Sequence, residues 1–121
     1  MTGSLHGRTI LIVEDEPVIL VDLFDALDLC GATVLVAATI AEAMKYVERG
    51  GISAAIIDRS LPDGFCTPIC EQLNSRDIPF VMHSGRADLD APCRRGVIFE
   101  KPANTSDMTA TIEGFFTEHR P

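Results

Sequence analysis

Five positions spread along the chain carry side chains that suit one reaction: the acids Glu14, Asp15 and Asp58, the hydroxyl of Ser84 and the ammonium of Lys101. Three carboxylates brought to one place repel each other unless shared protons, a cation or the lysine joins them. Oxygen ligands without His or Cys suit a hard ion, and Mg²⁺ takes one or two carboxylates together with waters and phosphate. A free Asp58 carboxylate beside such an ion can attack a phosphoryl group and carry it as an acyl phosphate. The ion and Lys101 would neutralise the equatorial oxygens of the loose transition state, and Ser84 would hydrogen-bond the bound group. Singly, these residues are weak signals. An Asp after a strand is commonly a turn or cap residue, Glu14-Asp15-Glu16 also complements a helix dipole, and Lys101-Pro102 also suits a turn. Next to them, His83 reads as a strand-end side chain and Arg94-Arg95 as a solvated pair. The weight comes from the elements that precede them.

Each of these groups follows an apolar run. Thr9-Ile10-Leu11-Ile12-Val13 leads into Glu14-Asp15-Glu16, and Ala54 to Ile57 leads into Asp58. Phe80-Val81-Met82 leads into His83-Ser84-Gly85, and Val97-Ile98-Phe99 into Glu100-Lys101-Pro102. Unbroken apolar runs of this length are strands covered on both faces. Thr33 to Ala37 supplies one more. Helical patterns lie between them. Pro17 suits a first turn, Leu20, Leu23, Phe24 and Leu27 share a face, and Gly31 is a stop. Thr39-Ile40-Ala41-Glu42 has capping-box spacing, and its helix runs to Gly50-Gly51 with Ala43 and Val47 toward the sheet. Phe65 to Arg76 forms a third helix, with Ile69 and Leu73 four apart. Asn104 or Thr105 caps a last helix whose Met108, Ile112, Phe115 and Phe116 share one face. The stretch between Ser84 and Lys101 is short and contains Pro92, so a helix there is short or irregular. Strand and helix alternate, which predicts an α/β doubly wound parallel sheet. Right-handed crossovers bring every strand's carboxyl end to one edge, where open α/β sheets bind ligands.

Composition bounds the rest. A chain of 121 residues is one domain with a core of its own. Ten basic against eighteen acidic residues leave a charge of -8, which argues against direct nucleic-acid binding. No long apolar span and no signal-peptide pattern occur, so no membrane insertion and a cytoplasmic address are expected. Cys30, Cys66, Cys70 and Cys93 form no Cys-x-x-Cys pair and read as small buried thiols, although Cys66 and Cys70 four apart on a helix would also suit a metal.

Together the motifs resemble the receiver domain of two-component response regulators: Ile-Leu-Ile-Val-Glu14-Asp15-Glu-Pro, Ile-Ile-Asp58 with Leu61-Pro62-Asp63-Gly64, Ser84, and Lys101-Pro102. The resemblance covers residues 8–118. It implies a flavodoxin-like (βα)5 fold with a five-stranded sheet in the order 2-1-3-4-5. It implies that Asp58 is the phosphoacceptor for a sensor histidine kinase or histidine phosphotransfer protein. Mg²⁺, or Mn²⁺ in its place, is then held by Asp15, Asp58 and the backbone carbonyl of Ser60, with Glu14 acting through water. Lys101 and Ser84 bind the phosphoryl group, Ser84 with position 98 forms the switch, and Ser60 and Arg86 set the phosphate lifetime. Two departures stand out: Glu14 where many receivers have Asp, and Ile98 where the switch position is usually aromatic. Pro79-Phe80-x-x-x-Ser84-Gly85 also loosely resembles a subgroup of stand-alone receivers with Phe-Ala-Thr-Gly-Tyr at this point. Residues 1–7 are expected to be a flexible leader and residues 8–121 a stand-alone receiver that signals to an unknown downstream protein or within a phosphorelay. It would not be an enzyme beyond its own phosphorylation and dephosphorylation. The alternatives are a phosphorylation-independent pseudo-receiver binding module and, less favoured for want of a general acid near Asp58, a metal-dependent phosphatase.

Overall fold

The computed structural model describes residues 3–85 and 89–117. Strands β1 (Thr9–Val13), β2 (Thr33–Ala37), β3 (Ala54–Asp58), β4 (Phe80–Ser84) and β5 (Val97–Glu100) form one parallel sheet in the order β2-β1-β3-β4-β5. Every residue of β3 and β4 is buried, as their apolar runs require, and the burial extends to Asp58, His83 and Ser84 at their ends, whereas β5 at the edge is largely exposed. Alternate residues point to opposite faces. Ile10, Ile12, Ile56 and Val81 join one core, under α1 (Pro17–Leu29) and α4 (Thr105–Phe115). Leu11, Val13, Ala55, Ile57 and Met82 join the other, under α2 (Ile40–Arg49) and α3 (Thr67–Ser75). Each fully buried Leu or Ile contributes about 1.5–3 kcal/mol. No helix among the described residues is long and apolar enough to cross a membrane.

The helix signals acted largely as expected. Thr39 Oγ1 accepts from the Glu42 N–H at 3.1 Å, while Glu42 Oε1 reaches back one residue further, to the Ala38 N–H at 2.9 Å. Asn104 Oδ1 accepts from the Ser106 N–H at the start of α4. In α3 the helix begins only at Thr67, so Phe65 lies outside it and is 73% exposed. In α1 the buried face is Leu23 and Leu27 with Ile19 and Leu20 beside them; Phe24 falls about 100° round from Leu23 and is exposed.

Two segments differ from ordinary strand-to-helix units. Among the described residues between β4 and β5 the chain makes one 3₁₀ turn, Cys93–Arg95, with Pro92 as its N-cap, as the expectation of a short or irregular helix there requires. Asn74 Nδ2 of α3 donates to the Pro92 carbonyl at 2.9 Å and fastens this turn. Gly96 then lets the backbone pass Phe80, since a Cβ there would lie 2.5 Å from the Phe80 ring. At the other end, part of the expected leader is anchored to the fold. Leu5 is fully buried against α1 and α4 residues, and its N–H donates to the Cys30 carbonyl at 2.8 Å.

Candidate functional site

The carboxyl edge of the sheet gathers the polar groups that follow the strands. Glu14 continues β1 by donating its N–H to the Ala37 carbonyl. Its side chain, 2% exposed, folds back so that Oε2 accepts from the N–H groups of Asp15 and Glu16, both at 3.1 Å. Asp58 ends β3 and is also 2% exposed. Its Oδ1 accepts from the Ser60 N–H at 2.9 Å and from Lys101 Nζ at 2.8 Å. Lys101 is held by its own N–H donating to the Ser84 carbonyl, and its peptide to Pro102 is cis. Ser84 is fully buried, one residue beyond the Asp58–His83 register pair.

Glu14, Asp15 and Asp58 each present a carboxylate oxygen within 4.8 Å of the others, with Asp15 open to solvent. A single buried carboxylate is costly, and two are more so. Burial and the adjoining Glu14 carboxyl push Asp58 above the ordinary aspartate range, against the opposing pull of Lys101 and the Ser60 N–H. Burial also acts to raise Glu14, but His83, Asp58, the Glu16 N–H and the Lys101 charge outweigh it and hold Glu14 low. The pair therefore shares charge unequally, with Glu14 the more anionic member. All-oxygen donors, one of them solvent-exposed with room for water, fit a small hard cation.

Some expected participants lie elsewhere. Ile98, the position expected to act in the switch, pairs with Met82 on the edge strand and presents an aliphatic side chain that is 40% exposed. Arg86 lies outside the described residues. Ser60 is brought to the site through its N–H on Asp58.

Two residues were underrated from sequence. His83 is near the end of β4, as expected, but it is buried at 2% exposure, and Nδ1 stands 4.0 Å from Glu14 Oε1. Among the described residues its ring nitrogens have no hydrogen-bond partner, and it lines a cleft of about 470 Å³ with Glu16, Ile19, Asp22, Lys101 and Pro102. The signal was its place in a wholly apolar run, where a polar side chain needs a reason. Asp63 was read as turn chemistry; its carboxylate accepts from the Ile40 and Ala41 N–H groups at 2.9 and 3.2 Å. These bonds hold the Asp63 carboxyl below the usual range and tie the loop after Asp58 to the positive end of α2. Nothing local announces a cap 23 residues from its helix.

No protein-family model and no curated protein matches the chain. Solved structures do. SdrG from Sphingomonas melonis is 36% identical, with a TM-score of 0.73, over 92% of this chain and 98% of that one. Its BeF3-activated conformation matches at 41% identity and a TM-score of 0.66, over 88% and 92%. A response regulator receiver domain protein (CheY-like) from Methanospirillum hungatei is 28% identical, with a TM-score of 0.78, over 89% and 92%. The receiver domain of a Pseudomonas aeruginosa sensor histidine kinase, with a magnesium ion coordinated in its active-site cleft, shares the fold at 22% identity and a TM-score of 0.74, over 89% and 96%.

Proposed function

The chain belongs to the receiver domains of response regulators, and from that premise we propose that Asp58 accepts a phosphoryl group from a histidine kinase or histidine phosphotransfer protein. One observation carries the reading: a buried carboxylate, bonded to Lys101 Nζ at 2.8 Å and flanked by two further acids, at the carboxyl edge of the sheet. In the step, an Asp58 oxygen forms a bond to phosphorus while the phosphorus–nitrogen bond of the donor phosphohistidine breaks. The electron pair stays on the imidazole, which takes up a proton.

Asp15, Asp58 and the Ser60 carbonyl would hold Mg²⁺, with Glu14 acting through water, and the ion when bound supplies positive charge for the phosphoryl oxygens. The magnesium in the Pseudomonas aeruginosa receiver supports this assignment. Lys101 adds an ammonium already bonded to the Asp58 carboxylate, close to where the phosphoryl charge arrives. The phosphoryl group then brings charge and acceptor oxygens to the loop after β3. Ser84 and Lys101 move onto it, and the surface leading to Ile98 changes state. With an aliphatic side chain at position 98, that change is transmitted by packing rather than by a ring turning inward. Ser60 and Arg86 set how long the phosphate lasts.

Intact mass after incubation with acetyl phosphate, with and without Mg²⁺, tests the reading alongside Asp58→Asn. The expected result is a single Mg²⁺-dependent phosphoryl adduct that the variant lacks. Persistent labelling of Asp58→Asn at another residue would remove the assignment. No adduct on the native chain would favour a phosphorylation-independent binding module, for which the exposed Ile98 is the natural contact.

A further inference from the structure

A second cluster lies on the α2/α3 side of the sheet, away from Asp58, and does not rest on the phosphoacceptor reading. Cys66 is the N-cap of α3, Cys70 follows one turn later, and Cys93 arrives from the 3₁₀ turn between β4 and β5. All three are buried free thiols. Their sulfurs lie within 4.8 Å of one another, and Cys66 Sγ and Cys93 Sγ are 3.7 Å apart. Behind them, Met82 Sδ sits 3.8 Å from Cys70 Sγ.

The sulfur spacing suits a shared ion. Four sulfurs at about 2.3 Å from a central ion stand about 3.8 Å apart along the edges of the tetrahedron. We propose that Cys66, Cys70 and Cys93, with Met82 Sδ as a fourth donor, bind one thiophilic cation, Cu(I) or Zn(II). Thiolate and thioether donors select soft ions over the hard ion of the oxygen cluster.

The cluster is also held from outside. Asn74 Nδ2 donates to the Pro92 carbonyl, and Thr67 Oγ1 donates to Asp90 Oδ2 at 2.5 Å, so two side chains of α3 bind the segment that delivers Cys93. The three sulfurs are therefore positioned without relying on one another. On loading, the ion takes the place of the thiol protons. A bound ion would join the β4–β5 segment to α3 and stiffen the stretch that leads to Ile98.

The test uses the reduced full chain under anaerobic conditions, titrated in separate arms with Zn²⁺ and with Cu(I) against a chromogenic chelator, with stoichiometry read by native mass. One ion per chain is expected. Affinity should fall about 100-fold or more in Cys66→Ser and Cys93→Ser and stay unchanged in Cys30→Ser, whose thiol lies on the other face of the sheet. Met82→Leu should weaken retention of the bound ion about 10-fold in whichever arm binds, as loss of one donor of four requires; unchanged affinity in that arm would remove Met82 from the site. A readout free of variants is alkylation of the native chain: loading should slow modification of Cys66 and Cys93, and chelator should restore the rate. The proposal is overturned if neither ion is retained, if binding survives Cys93→Ser undiminished, if it is lost in Cys30→Ser, or if loading leaves alkylation rates unchanged.

Discussion

Among the described residues stand two three-residue donor clusters, each with its donor atoms within 4.8 Å of one another, and they differ in chemistry and in placement. Glu14, Asp15 and Asp58 offer oxygens at the rim of the sheet, with Asp15 in solvent and Lys101 bonded to Asp58. Cys66, Cys70 and Cys93 offer sulfurs inside the α2/α3 core, backed by Met82. Placement decides what each can do. At the rim, water and a hydrated ion can reach carboxylates whose repulsion is only partly relieved, which keeps them reactive. In the core, polarisable sulfurs pack as small apolar groups, and a soft ion is the only kind that could join them at tolerable desolvation cost.

Substitutions can separate the two. Leu73 is fully buried beside the sulfur cluster, so Leu73→Ala should cost about 2–5 kcal/mol, read from the denaturant midpoint. Phosphoryl labelling of the folded fraction should persist, since the oxygen cluster rests on the strand ends; loss of labelling in still-folded protein would show that the two are coupled. Lys101→Ala acts on the other cluster. Adduct accumulation from acetyl phosphate should slow about 100-fold, with ion uptake by the cysteines unaffected.

A third substitution tests whether the rim is electrostatically loaded. Asp58 has its folded pKa raised, so the folded state holds that proton more tightly than the unfolded chain does. The ionised carboxylate therefore costs stability at pH above the raised value, and the cost disappears as pH falls to the ordinary aspartate value of 3.8. Asp58→Asn should raise stability at pH 7 by about 1 kcal/mol, and the gain should fade toward pH 4. A pH-independent difference in melting temperature would contradict this. The smallest effect is expected from Thr39→Ala, about 1 kcal/mol or less, because Asp63 also bonds the start of α2. Combining it with Asp63→Ala should cost more than the separate losses added together, as read from thermal melts.

Much of this was legible in the chain. The apolar runs ending in Glu14, Asp58, Ser84 and Lys101 announced buried parallel strands with functional ends, because only a sheet covered on both faces needs unbroken apolar strands. Pro92 announced the short turn, Cys93–Arg95, before β5. The Leu5 anchor was not legible, since one leucine in a polar leader carries no periodicity. Phe24 was placed on the wrong side because a neighbour in sequence is about 100° away on a helix.

The sequence by itself determined the strand ends, their chemistry and hence the oxygen-lined edge, since right-handed crossovers leave only one edge for them. Only the tertiary structure decided that Cys93 meets Cys66 and Cys70, that His83 is buried beside Glu14, and that Asp63 caps α2. Each of those depends on how far one packed layer sits over another. That distance is set by side chains filling a common core, and local pattern carries no record of it.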